Sequence, residues 1–235
     1  MLNLSDFKLT QAVLEIRYAN AYIIWDRSGK IWTEFSSLWP NLHMLTAQPN
    51  EVLFRLENKY ELSVQIDKAH IIELEPTSNL DDFMERADKF IKLVIQNLEI
   101  INFNRVGFRL VYVKGFPDSL QAANSLISTK MISVPHGKQF NIEGRISFPK
   151  YSIVWESDSA AARIALEVVD KKIDFDPPPN VEGLKSAHFE THELVYDLDY
   201  YIPAKLLPGQ LNVKEWLSQT YHLIKRDSKS FLGAI

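Results

Sequence analysis

The sequence predicts an α+β fold of two tandem β-α-β(3-4)-α units, residues 1–102 and 103–235, whose antiparallel sheets carry two long helices packed on one side. Three observations predict it. Much of the chain alternates apolar and polar residues in runs of strand length, two stretches instead repeat apolar residues at helical spacing, and the element order before Asn102 recurs after it. The two units can form one continuous domain. A 46% hydrophobic content with 13 Phe, 9 Tyr and 5 Trp in 235 residues is enough for a core of that size.

In the first unit, Ala12, Leu14, Ile16 and Tyr18 alternate with Val13, Glu15 and Arg17, which reads as a strand over 9–19. Arg27-Ser28-Gly29 reads as a turn, and Ile31, Trp32, Phe35, Leu38 and Trp39 then recur as a helix starting near Ser28 and ended by Pro40. A meander follows. Val52, Phe54 and Leu56 lead across an Asn58-Lys59 turn into Tyr60, Leu62, Val64 and Ile66, then a run at 70–75, with an edge strand at 44–47. Asn79 caps the clearest helix, whose apolar face runs through Phe83, Met84, Ala87, Phe90, Ile91, Val94 and Leu98.

The second unit repeats this order. Val106, Phe108, Leu110 and Tyr112 mark a strand over 105–114, and Asp118 caps a shorter helix to 128. Strands are predicted at 141–148, 151–156 and 163–170, then a loop over 171–187 stiffened by Pro177, Pro178 and Pro179. Leu194, Tyr196, Leu198, Tyr200 and Ile202 give a half-buried strand over 188–203 with Asp197 and Asp199 on its other side. Asn212 and Glu215 open a final helix over 212–231 with Val213, Trp216, Leu217, Thr220, Leu223, Ile224 and Phe231 facing one way.

The long helices match in register, Phe83-Met84, Ala87 and Phe90-Ile91-Lys92 against Trp216-Leu217, Thr220 and Leu223-Ile224-Lys225. An antiparallel sheet gripped by a long helix and then repeated is similar to the helix-grip arrangement of TATA-binding-protein-like folds. The strings Ala12-Val-Leu-Glu-Ile-Arg-Tyr18, Arg105-Val-Gly-Phe-Arg-Leu-Val-Tyr112 and Leu194-Val-Tyr-Asp-Leu-Asp199, with the closing helix from Trp216-Leu217 to Phe231, carry a second likeness. Together they resemble the landmarks of a sporadically distributed bacterial family of uncharacterised proteins over the whole chain. The patchy distribution of that family implies a mobile, toxin-linked or antiviral-defence assembly with a partner protein. It implies no catalytic residues.

Composition removes several functions. Without cysteine there is no disulfide framework, thiolate nucleophile or Cys-ligated metal. A net charge of −4 argues against generic nucleic-acid or anionic-membrane binding. No apolar run reaches bilayer length and no signal peptide is recognised, so the expected location is cytoplasmic. Gly-rich phosphate loops, nucleophile elbows and dinucleotide fingerprints are lacking in a chain with 8 glycines. No cofactor is expected.

Four groups of residues remain as candidates. Arg17 and Arg109, basic residues in apolar strands, either pair internally with Glu15 or Glu167 or present forks to a phosphate or carboxylate, with Trp25 and Trp32 as aromatic walls. Trp39 continues their seven-residue spacing. His188, Glu190 and His192 alternate on one strand face, as metal ligands would or as a solvated row. Asp197 and Asp199 could serve as a carboxylate pair. Lys214, Lys225 and Lys229, with His222 and Arg226, give the last helix a basic side that would suit an acidic partner.

The leading expectation is a non-enzymatic interaction module for another protein, acting through a sheet face or the 171–187 loop. A sensor of an anionic ligand or nucleotide is the second reading, and a metal-dependent nuclease or hydrolase the third. A free sheet edge also admits a homodimer.

Overall fold

Alternation of apolar and polar residues in these strands produces a single antiparallel sheet. The computed structural model describes residues 2–77, 79–132, 145–175, 187–203 and 205–233. Within them the strands are β1 (Lys8–Tyr18), β2 (Leu42–Gln48), β3 (Glu51–Leu56), β4 (Tyr60–Gln65), β5 (Lys68–Leu74), β6 (Phe103–Phe116), β7 (Lys150–Glu156), β8 (Ala161–Phe175) and β9 (Ala187–Ile202). They form a nine-stranded sheet in the order β2-β3-β4-β5-β1-β6-β9-β8-β7. Register follows from burial. Phe54, Leu62, Ile71, Leu14, Phe108, Tyr200, Ala162 and Trp155 stand directly opposite one another on successive strands, so they form one row across a single face.

That face carries the helices α1 (Ile24–Leu38), α2 (Asp81–Leu98), α3 (Ser119–Ile127) and α4 (Val213–Gly233). Phe35 of α1 tilts over Phe54, Phe83 of α2 stacks on Phe108, and Phe231 of α4 stacks on Tyr196, with ring centroids 5.4, 6.1 and 6.4 Å apart. Helix α2 also packs against α1 and α4, while α3 lies on β6, β8 and β9. All these contacts belong to one continuous core. Tyr196 keeps its phenol buried by pairing with Ser228 of α4 at 2.9 Å, and burial pushes that phenol up to about 12.

The expected start of the first helix near Ser28 needs correction. Helix α1 begins at Ile24 and runs through Gly29. Arg27, expected in a turn, instead reaches the end of α2: its Nη1 donates to the Asn97 carbonyl at 2.8 Å and its Nη2 meets Glu99 at 2.5 Å. A guanidinium at the negative end of α2, beside Glu99 in the left-handed conformation, satisfies that end and ties the first turn of α1 to it. This tertiary contact outweighs the poor helix propensity of glycine. Since nothing lies within 4 Å of where a Cβ at Gly29 would stand, Gly29→Ala is expected to raise stability by about 0.5–1 kcal/mol, read from urea unfolding.

Other boundaries shift for similar reasons. Residues 145–148 of the strand expected at 141–148 are not in a strand, and 141–144 lie outside the described residues. At the ends of the loop expected over 171–187 the chain is in strand instead, because β8 continues to Phe175 and β9 starts at Ala187, pairing Ile173 with Phe189. The remainder, 176–186, lies outside the described residues. The caps hold. Asn79 accepts from the Asp81 amide at 2.9 Å, Asp118 from Gln121 at 2.8 Å, and Asn212 from Glu215 at 3.3 Å. No helix among the described residues is long and apolar enough to cross a membrane.

Candidate functional site

The opposite face of the sheet carries no helix among the described residues, and its centre is a lattice of arginines and carboxylates. Pairing across β1, β6, β9 and β8 fixes it. Glu15 stands opposite Gly107, which stands opposite Tyr201; Val13 stands opposite Arg109, then Asp199, then Arg163. These residues therefore share the open face.

Arg105 is the anchor. Its guanidinium folds along β6 over Gly107, where a Cβ would stand 2.4 Å from Nη1, so a larger residue there would push the guanidinium out of this position. From there Nη2 reaches Asp199 at 2.9 and 2.7 Å, Nη1 reaches Glu15 at 3.1 Å, and the Tyr201 ring lies 4.4 Å from the guanidinium carbon. Asp197 takes a two-pronged contact from Arg109, at 2.7 and 2.9 Å, and a third from Arg163 at 2.9 Å. Glu15 also accepts from Arg17 Nε at 2.8 Å. Each guanidinium thus rests on a carboxylate, and each carboxylate is engaged.

Burial and charge act in opposite directions here. Desolvation holds the Asp199 carboxyl above its ordinary range, although Arg105 pulls it down. Arg109 is raised, chiefly by its hydrogen bond to Asp197, and Arg17 by its bond to Glu15. His70, opposite Glu15 on β5, is lowered by burial. Between these side chains lies a depression of about 310 Å3 lined by Val13, Glu15, Arg17, Arg105, Gly107, Arg109, Arg163 and Asp199.

Arg17 and Arg109 thus meet around one depression, but the tryptophans do not join them. Trp25 and Trp32 ride on α1, on the helix side of the sheet: Trp25 is 57% exposed against Tyr22, and Trp32 is half-buried on Phe54. Asp197 and Asp199 serve as arginine acceptors rather than as a free carboxylate pair. Arg105 and Arg163 are the members that sequence reasoning missed. A signal for Arg105 was present in Gly107, a glycine at the centre of an otherwise bulky strand.

The other candidates lie elsewhere. His188, Glu190 and His192 sit on the hairpin arm of β8 and β9, facing the helix side, and each is paired across it: His188 with Asp174, Glu190 with Lys172 at 2.9 Å, His192 with Asp170 at 2.9 Å. Ligand atoms of Asp170, Glu190 and His192 lie within 4.8 Å of one another and could hold a metal; His188 lies farther out along the arm. On α4, Lys214, Lys225 and Lys229 are all exposed. Lys225 and Lys229 border a depression of about 480 Å3 with Phe7, Lys8 and Tyr112, and Lys214 sits apart in the first turn. No family model, curated protein or solved structure matches this chain.

Proposed function

We propose that the chain is a non-enzymatic module that binds another protein through the open face of its sheet. The observation that carries this reading is the cross-strand pair Ile173 and Phe189, which share that face with Arg163 and Asp197 and are 61% and 59% exposed. Two large apolar side chains held side by side in water on a two-stranded arm are an anchor in want of a cover. Phe189 lies eight residues along β9 from Asp197, about 27 Å at strand spacing. A ligand that meets both the apolar pair and the arginine lattice has macromolecular dimensions.

The sheet order supports a further part of the proposal, that the chain is a duplication. Outward from the seam of β1 and β6, each half lays down first its last strand and then the earlier ones in reverse, β5-β4-β3-β2 on one side and β9-β8-β7 on the other. Each half then ends on a long helix, α2 or α4, and the two helices touch. In this proposal the open face is one surface made by both halves.

Capture from the native source, using the full chain as bait, tests the binding surface. Replacing both Ile173 and Phe189 by Asp is expected to abolish recovery of the specific partner while leaving the melting temperature within a few degrees, because neither side chain belongs to the core. Charge reversal of Lys214, Lys225 and Lys229 on α4 is expected to leave recovery intact. If instead the lysine variant loses the partner and the arm variant keeps it, the binding surface is the helix side and the proposal fails.

A further inference from the structure

We infer that the depression at the centre of the open face is an oxyanion site, in which Arg17, Arg105, Arg109 and Arg163 receive a phosphate or carboxylate group. This deepens the proposed use of that face by naming the chemistry its partner would present.

Strand register supplies the first argument. Arg17 stands directly opposite Arg105 on β6 and directly opposite Lys68 on β5, which places three cations abreast on one sheet face. Like charges in directly opposed positions destabilise strand pairing. The fold tolerates the arrangement through Glu15, Asp197 and Asp199, but four guanidinium groups line or adjoin these three carboxylates and the cationic side is in excess. That excess sits on a chain whose net charge is −4. A local field opposite in sign to the whole molecule favours an anion at that point over other places on the surface.

Donor geometry supplies the second. Arg17 is bound to Glu15 through Nε alone, and Arg163 to Asp197 through Nη2 alone, so both keep donors with no acceptor among the described residues. Arg17, Arg109 and Arg163 are held by their ion pairs around one depression, with Arg105 lying across its floor over Gly107. Guanidinium groups already oriented lose little freedom when they take up an oxyanion, and their planar forks match its oxygens.

Two sources could supply the group: a small free anion, or an acidic or phosphorylated side chain of the partner. The test uses the purified full chain at constant ionic strength, made up with potassium chloride. Pyrophosphate, succinate and a short phosphoserine peptide are each titrated while thermal unfolding and the arginine Nε resonances are followed. At least one of the three is expected to raise the melting temperature beyond the chloride control and to shift Nε signals. Arg17→Gln and Arg163→Gln, which each remove an exposed fork, are expected to weaken that ligand by about tenfold. Arg17→Lys restores charge without the fork and is expected to recover only part of the loss.

Response to pyrophosphate or succinate assigns the site to a free anion, and response to the peptide alone assigns it to a partner group. The inference is overturned if none of the three acts beyond chloride, or if the glutamine variants respond as the parent does. Because the titration needs no partner, its failure is distinct from failure of the proposed binding face, which is read from the Ile173 and Phe189 variant.

Discussion

Phe90→Ala is expected to lower the unfolding free energy by about 3–5 kcal/mol. Phe90 is fully buried in the middle of α2, and its ring meets Phe35 of α1 edge to face at 5.6 Å, while Phe35 in turn lies on Phe54 of β3. Truncation therefore removes the ring through which α2 meets α1 at Phe35. Full burial in a close-packed core leaves little room for collapse, so most of the cavity persists. Against a typical domain stability of about 5–15 kcal/mol, a loss of that size puts the variant near the folding threshold. Chemical unfolding of Phe90→Ala, Phe90→Leu and Trp25→Ala side by side checks the argument. The leucine variant should recover part of the loss, and Trp25→Ala should change stability little, since that ring is mostly in water.

The same aromatic rows explain why so much of the fold was legible in the sequence. Strict alternation in β1, β4 and β9 encodes a sheet with one dry side, and the 3.6-residue pattern of α2 and α4 encodes its cover. Caps at Asp118 and Asn212, and Asn79 bonded to the Asp81 amide just before α2, mark helix starts by local chemistry, which a single sequence contains. The start of α1 was not legible, because Arg27 acts on Asn97 and Glu99, some seventy residues away, and Gly29 argues locally against it. Nor was the length of the β8–β9 arm. Lys172 and Asp174 look like loop residues, yet they pair with Glu190 and His188 across the hairpin and so sustain a ladder beyond the core.

Site residues were legible only where they broke a local rule. Arg17 and Arg109 are conspicuous as charges within apolar strands, and the structure does bring them to one depression. Arg105 and Arg163 lie near strand ends, where a basic residue is unremarkable, and their meaning comes from register: Arg105 opposite Arg17, Arg163 opposite Asp199. Trp25 and Trp32 share no local pattern with the arginines. Which side of a sheet a helix covers is a tertiary fact, and it separates the rings from the guanidinium groups.

Arg105→Met should produce the second large effect, a loss of about 2–3 kcal/mol at neutral pH that shrinks in acid. Removing one member of a buried ion pair costs about 3–5 kcal/mol because the other charge is left uncompensated. Arg105 and Asp199 retain 18% and 17% of their side-chain exposure, so solvent lowers that figure. The sign follows from Asp199, whose carboxyl already lies above its ordinary range through burial and would rise further without the cation beside it. A carboxyl with a raised folded value favours the folded state in its protonated form, so its penalty is fully present at neutral pH and fades as pH falls through that folded value. Urea unfolding of parent and variant at about pH 7 and about pH 4 is the measurement. An equal deficit at both would mean that Arg105 acts through its stacking on Tyr201 rather than through charge, since cation–π packing does not depend on the ionisation of Asp199. A deficit confined to neutral pH would identify the anchored guanidinium as the element that keeps a half-buried carboxylate charged at the centre of the open face.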